Sequence, residues 1–199
     1  KFVVASVLTK KIHEKKSKGE TAGIDFMKGV NGFIILLLIS RVLYVVFDFY
    51  YTKFDETRYA ESPAIWFWKI ASSIAALGIM YIVYMVDKKI LDGKYKGIPA
   101  LIVLTGAVLL IVYPVNNLKD FEILSILMII PQFGVIFIPV IFIKIARNST
   151  GELKRVSYAM VLAMLLYAVG ALIVNKALIT YFNTTFNADL DVYFYLARA

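Results

Sequence analysis

The chain has 199 residues, 60% of them hydrophobic, and a mean hydropathy of +0.75; soluble domains sit near roughly 45–50% apolar, so this is membrane-protein composition. The net charge of +8 does not indicate nucleic acid, because the basic residues fall in separate short segments and form no continuous patch. With no cysteine and one histidine, disulfides, thiolate chemistry and a histidine-based metal centre are excluded.

The opening KFVVASVLT is too short to span a bilayer and reads as the end of a first helix that begins upstream. Residues 10–28 carry Lys10, Lys11, Lys15, Lys16, Lys18 and Lys28, with Gly19 and Gly23 as breakers, and read as a loop. His13 lies among those lysines and reads as a surface residue.

The second helix, residues 29–51, is GVNGFIILLLISRVLYVVFDFYY. It carries Arg41 and Asp48, which an α-helical register puts on one face, about 10 Å apart along the axis. The polar loop TKFDETRYAESP follows, and Ser62-Pro63 gives a helix-start signal. A third helix is expected over 64–86, with Trp66 and Trp68 at an aromatic belt. DKKILDGKYKG closes it with Lys88, Lys89, Lys94 and Lys96.

The fourth helix, 98–115, has Pro99 in its first turn. The fifth, 122–146, contains Pro131 and Pro139, each of which removes a backbone hydrogen bond and frees the carbonyl four residues earlier; both are candidate conformational hinges. RNSTGELKR leads to a sixth helix over 156–181, and LDVYFYLARA begins a seventh that the sequence cuts short.

Basic connections alternate with poor ones, which is the positive-inside asymmetry. The expected fold is therefore all-α: a polytopic seven-helix bundle in a cell membrane, with first and last helices incomplete. Residues 1–199 form a single transmembrane helical domain, with its amino end outside and its carboxyl end cytoplasmic. The lysine clusters also make membrane lipids with anionic headgroups expected partners.

Polar residues inside the spans are the candidates for function. Arg41 lies about 18 Å from the inner end of its helix, past the middle of a roughly 30 Å core, and Gln132 falls at nearly the same level. Asp48, Lys69, Asn175 and Lys176 lie in the outer third. An arginine at that depth costs about 2.5–3.5 kcal/mol on insertion scales, so it faces protein, water or a ligand. Freed carbonyls, Gln132, Tyr44, Asp191 or an anionic ligand could neutralise it. Lys69 and Lys176 can also reach the headgroups by extending their stems, and Asn175 can bond a neighbouring helix.

The segment RNSTGELKRVSYAMVLAMLLYAVGALIV, with Gly151, Glu152, Lys154 and Arg155, resembles a junction in one family. It is the fifth-to-sixth helix junction in the seven-helix membrane domain at the amino end of many prokaryotic sensor histidine kinases. The resemblance implies sensing by the membrane domain and output by a cytoplasmic signalling domain or partner.

The expected function is a receptor-like sensor that binds a small anionic or amphipathic ligand in an outward-facing intramembrane pocket, with signal transduction as its role. Its ligand-binding residues are Arg41, Tyr44, Asp48, Lys69, Gln132, Asn175 and Lys176. The alternatives are a small transporter or channel, or a structural membrane subunit without ligand. No cofactor, metal or catalytic residue is expected, because the spans offer neither an acidic or histidine cluster nor a nucleophile–base pair.

Overall fold

The computed structural model describes residues 2–19, 24–173 and 183, and every regular element among them is helical. The chain divides into two compact units, Lys1–Phe137 and Ile138–Ala199. The elements are α1 (Phe2–Ser17), α2 (Ile24–Val45), α3 (Ala64–Ile90), α4 (Ile98–Val112), α5 (Leu118–Leu127), α6 (Ile129–Asn148) and α7 (Gly151–Ile173). Among the described residues three segments are long and apolar enough to cross a membrane: Met27–Thr52, Ala64–Ile90 and Leu118–Asn148. At 15 residues, α4 is apolar but shorter.

Several boundaries differ from those read in the sequence. The lysine-rich stretch after Thr9 stays helical to Ser17 instead of opening into a loop. Lysine propagates a helix well, and Lys15 and Lys16 favour a carboxyl-terminal turn. The second helix starts at Ile24 and widens to π-helical winding over Val46–Thr52, which ends on Lys53 and Phe54 at φ 51° and 62°. The third helix runs four residues past Val86, so Asp87, Lys88 and Lys89 belong to it.

The expected fifth helix is two helices, α5 and α6, parted at Met128. Pro131 sits in the first turn of α6, where its missing N–H is tolerated, and the helical hydrogen bonding breaks just upstream. Asn117 caps α5 by accepting from the Asp120 N–H at 3.0 Å, while Asp120 accepts from the Asn116 N–H at 2.9 Å.

In the first unit α2 and α3 pack antiparallel. Small residues set their spacing: a Cβ on Gly32 would stand 2.6 Å from Tyr81 Cε1, and one on Gly78 3.3 Å from Phe33 and Leu36. The next contacts of α3 are with α4, where Ser73 Oγ donates to the Ala107 carbonyl at 3.1 Å. Pro131 then sits on Gly106 of α4 so closely that a Cβ there would lie 2.6 Å from the proline Cδ.

One end of this unit is aromatic. Phe47, Tyr59, Trp68, Leu110 and Leu124 are buried there, with Tyr44, Tyr51, Phe67 and Phe121 against them. Ring centroids of Phe47–Tyr59, Tyr59–Phe121 and Trp68–Phe121 are 5.3, 5.4 and 5.1 Å apart, in tilted or edge-on geometries that favour aromatic pairs.

The opposite end is basic. There Asp25 at the start of α2 takes Lys89 of α3 at 2.8 Å and Lys28 at 3.5 Å.

In the second unit Ser157, Val161 and Met164 of α7, buried among the residues whose burial is described, fall four and three positions apart and so form one stripe.

Candidate functional site

Lys69 has the most defined surroundings of the expected ligand residues. It sits one turn into α3 and is 4% exposed. Its ammonium donates to the Tyr113 carbonyl at 2.6 Å and reaches the Ile111 carbonyl at 3.5 Å, and it lies 5.0 Å from the Trp66 ring centroid. Tyr113 follows the last residue of α4, so the lysine covers carbonyls that the end of a helix leaves without internal partners. A cation at this end also opposes the negative pole of the helix. Lys69 therefore turns inward onto α4 instead of extending to headgroups. Trp66 remains half exposed, whereas its neighbour Trp68 is buried in the aromatic cluster.

Tyr44 meets α3 on the same side: its hydroxyl and Ser72 Oγ share a 2.7 Å hydrogen bond, and Ser72 also bonds the Trp68 carbonyl at 2.8 Å. Asp48 is 4% exposed and lies in the π-helical turn. Its backbone carbonyl accepts from the Phe54 N–H at 3.1 Å, and Thr52 Oγ1 donates to the carbonyls of Phe47 and Asp48 at 3.0 and 3.3 Å.

Arg41 is exposed on α2, beside exposed Val42 and Val45. Asp48 is buried, and π winding from Val46 onward alters the helical register between the two. Gln132 is partly buried next to Pro131, and Pro139 lies within α6. Asn175, Lys176 and Asp191 lie outside the described residues.

Thus Tyr44 and Lys69 share the aromatic end of the α2–α3–α4 group, each bonded to a neighbouring helix or its terminus. An open trough of about 760 Å³ lies elsewhere, between α1 and α2, and none of the described ligand residues lines it.

One polar residue not anticipated from sequence is Asp87. It is 2% exposed, and its two carboxylate oxygens accept from the backbone N–H groups of Tyr95 at 2.9 Å and Gly97 at 2.7 Å. Asp92, Gly93, Lys96 and Gly97 all have positive φ, so this carboxylate holds a sharply folded connection at the mouth of α4. The signal was present: an acid in the last turn of a helix opposes the dipole unless donors are brought to it.

Beyond the spans, two carboxyls lie below their ordinary value. Asp25 is lowered first by the hydrogen bond from Lys89 and then by its charge. Asp55 is lowered by the Thr57 hydroxyl and backbone N–H, at 2.7 and 3.0 Å.

The fold defines an all-helical protein with membrane-type apolar helices. No family model, curated protein or solved structure matches the chain. Among the described residues no group of histidine and acidic side chains could hold a metal ion.

Proposed function

We propose that the chain is a multi-pass membrane scaffold, a structural subunit whose aromatic end faces outward and whose basic end faces the cytoplasm. In this reading the helices form seven spans, α5 and α6 together making the fifth, with the amino end outside. The single observation that carries the reading is Lys69. A buried cation near the start of an apolar helix, the kind of group that otherwise marks a ligand site, is instead bonded to the end of α4 beside the aromatic cluster.

Two measurements test it. Because the native chain has no cysteine, single cysteines report topology cleanly. Thr57→Cys should react with an impermeant maleimide on intact cells, and Lys94→Cys only after permeabilisation; the reverse pattern removes the orientation. Secondly, small soluble anions should leave the melting temperature of the purified protein unchanged. An anion that stabilises the native protein but not Arg41→Leu or Lys69→Met would replace the scaffold with a receptor.

The sensor reading has one observation in its favour. The helix parted at Met128 has Pro131 seated on Gly106 and a second proline, Pro139, in α6, and in that reading the two are hinges that pass movement to a cytoplasmic signalling domain. A ligand could drive it only by binding the two states with different affinity.

A further inference from the structure

The outward face of α4 is a single stripe. Ile98, Leu101, Thr105, Val108 and Val112 follow one another at steps of three and four residues, and each is exposed. The stripe carries no charge, and its one hydroxyl turns back onto its own helix: Thr105 Oγ1 donates to the Leu101 carbonyl at 3.0 Å. A face that bonds only itself suits hydrocarbon, where no water is at hand to satisfy a polar group.

The length of that face is fixed at both ends. Asp87 of α3 holds the Gly97 N–H just before α4, and Lys69 of α3 holds the Tyr113 carbonyl just after it. From Lys69 to Asp87 the axis of α3 advances about 27 Å, and the 15 residues of α4 span about 22 Å. Aromatic rings mark the same interval. Trp66 and Tyr84 of α3 are both exposed, share one face, and again lie about 27 Å apart along the axis. The Tyr84 hydroxyl accepts from Lys88 Nζ at 3.2 Å, so that ring stands at the level of an exposed lysine. Tryptophan and tyrosine settle at the headgroups on each side of a bilayer. Tilt shortens all these lengths along the bilayer normal, so about 27 Å is an upper limit. Longer spans such as Met27–Thr52 adjust by tilting, whereas α4 is held at both ends and has no length to spare.

We propose that the lipid partner of this protein is a thin bilayer, with short acyl chains along the α4 stripe and headgroups at the levels of Trp66 and Tyr84. The inference rests on the chain spanning a membrane, but not on its role there as scaffold or receptor. Hydrocarbon cores run from about 27 Å in thin membranes to about 32–33 Å in those rich in sterol and sphingolipid. The interval on α3 and α4 fits the first. In the second, the polar ends of α4 and the ring of Trp66 would be drawn below the headgroups.

The test is reconstitution of the full chain in vesicles of one phosphatidylcholine at a time, with myristoleoyl, palmitoleoyl, oleoyl, eicosenoyl or erucoyl chains in order of length. The melting temperature should be highest with chains no longer than oleoyl and should fall with eicosenoyl and erucoyl. Trp68→Phe leaves Trp66 as the one tryptophan, so quenching by brominated lipid reports which chains gather beside it. Palmitoleoyl should be favoured over erucoyl about fivefold. Tyr84→Leu carries apolar surface on toward Lys88 and should move the optimum to a longer chain. The melting series of the native chain decides the matter even if Trp68→Phe does not fold.

A maximum with eicosenoyl or erucoyl chains overturns the proposal, and so does an equal melting temperature throughout the series. Cross-linking of two copies through Val112→Cys would assign the stripe to an interface between proteins instead. Extraction of membranes with alkaline carbonate separates the premises: a chain that washes out does not span a membrane, whereas one that stays and melts highest in long-chain lipid disproves only the thin bilayer.

Discussion

The helices α1 and α3 belong to the same unit and treat their charges in opposite ways. α3 encloses Lys69 and Asp87 and gives each the end of a neighbouring element: carbonyls of α4 for the cation, N–H groups of the α3–α4 connection for the carboxylate. α1 buries only Ala5 among its described residues, with Phe2 and Val3 both 71% exposed and Lys10, Lys11 and Lys16 exposed as well. The difference shows that a charge within an apolar helix need not mark a ligand. Helix ends carry unpaired backbone groups, and a buried charge that reaches one completes the packing.

Substitutions should separate the two helices sharply. The largest effect is expected for Gly134→Leu, because even a Cβ there would stand 2.6 Å from Ile79 of α3 and 2.8 Å from Val103 of α4. Overpacking of this kind costs about 3 kcal/mol, to be read as a lowered melting temperature in detergent. Asp87→Ala leaves two backbone donors without their acceptor, a loss of about 2 kcal/mol, and protease should then cut between residues 91 and 97. An intact connection in that variant would show that Asp87 does not hold it.

Lys69→Met should cost about 1–2 kcal/mol through the uncapped end of α4. The loss should be insensitive to salt, because the pair is buried. Smaller again is the effect of acid on the Asp25–Lys89 bridge. The folded carboxyl titrates below its unfolded value, so its contribution is complete above about pH 4 and fades as pH falls through the folded value. Asp25→Asn should therefore be less stable than the native chain at neutral pH and indistinguishable from it in strong acid. Val7→Ala on exposed α1 should change stability by less than about 0.5 kcal/mol; a larger loss would mean that α1 is enclosed after all.

The spacing of apolar runs made the helices legible. The starts at Ala64 and Ile98 follow from prolines and glycines whose backbone limits are local. What was not legible depends on neighbours. The parting at Met128 needs Pro131 together with the close approach of Gly106, and the inward turn of Lys69 needs the end of α4 to arrive beside it. Nothing in the residues 46–52 announces π winding, and that turn buries Phe47, Asp48 and Thr52.

That wider winding has a consequence for how the chain can vary. A π-helical turn accommodates an added residue within a helix, and here it lies after the straight part of α2 and before the reversal at Lys53 and Phe54. Removing one residue from 46–52 should let the turn tighten and leave the pairing of Gly32 with Tyr81 undisturbed. The rim of the protein could thus lengthen or shorten while its buried seam keeps its alignment.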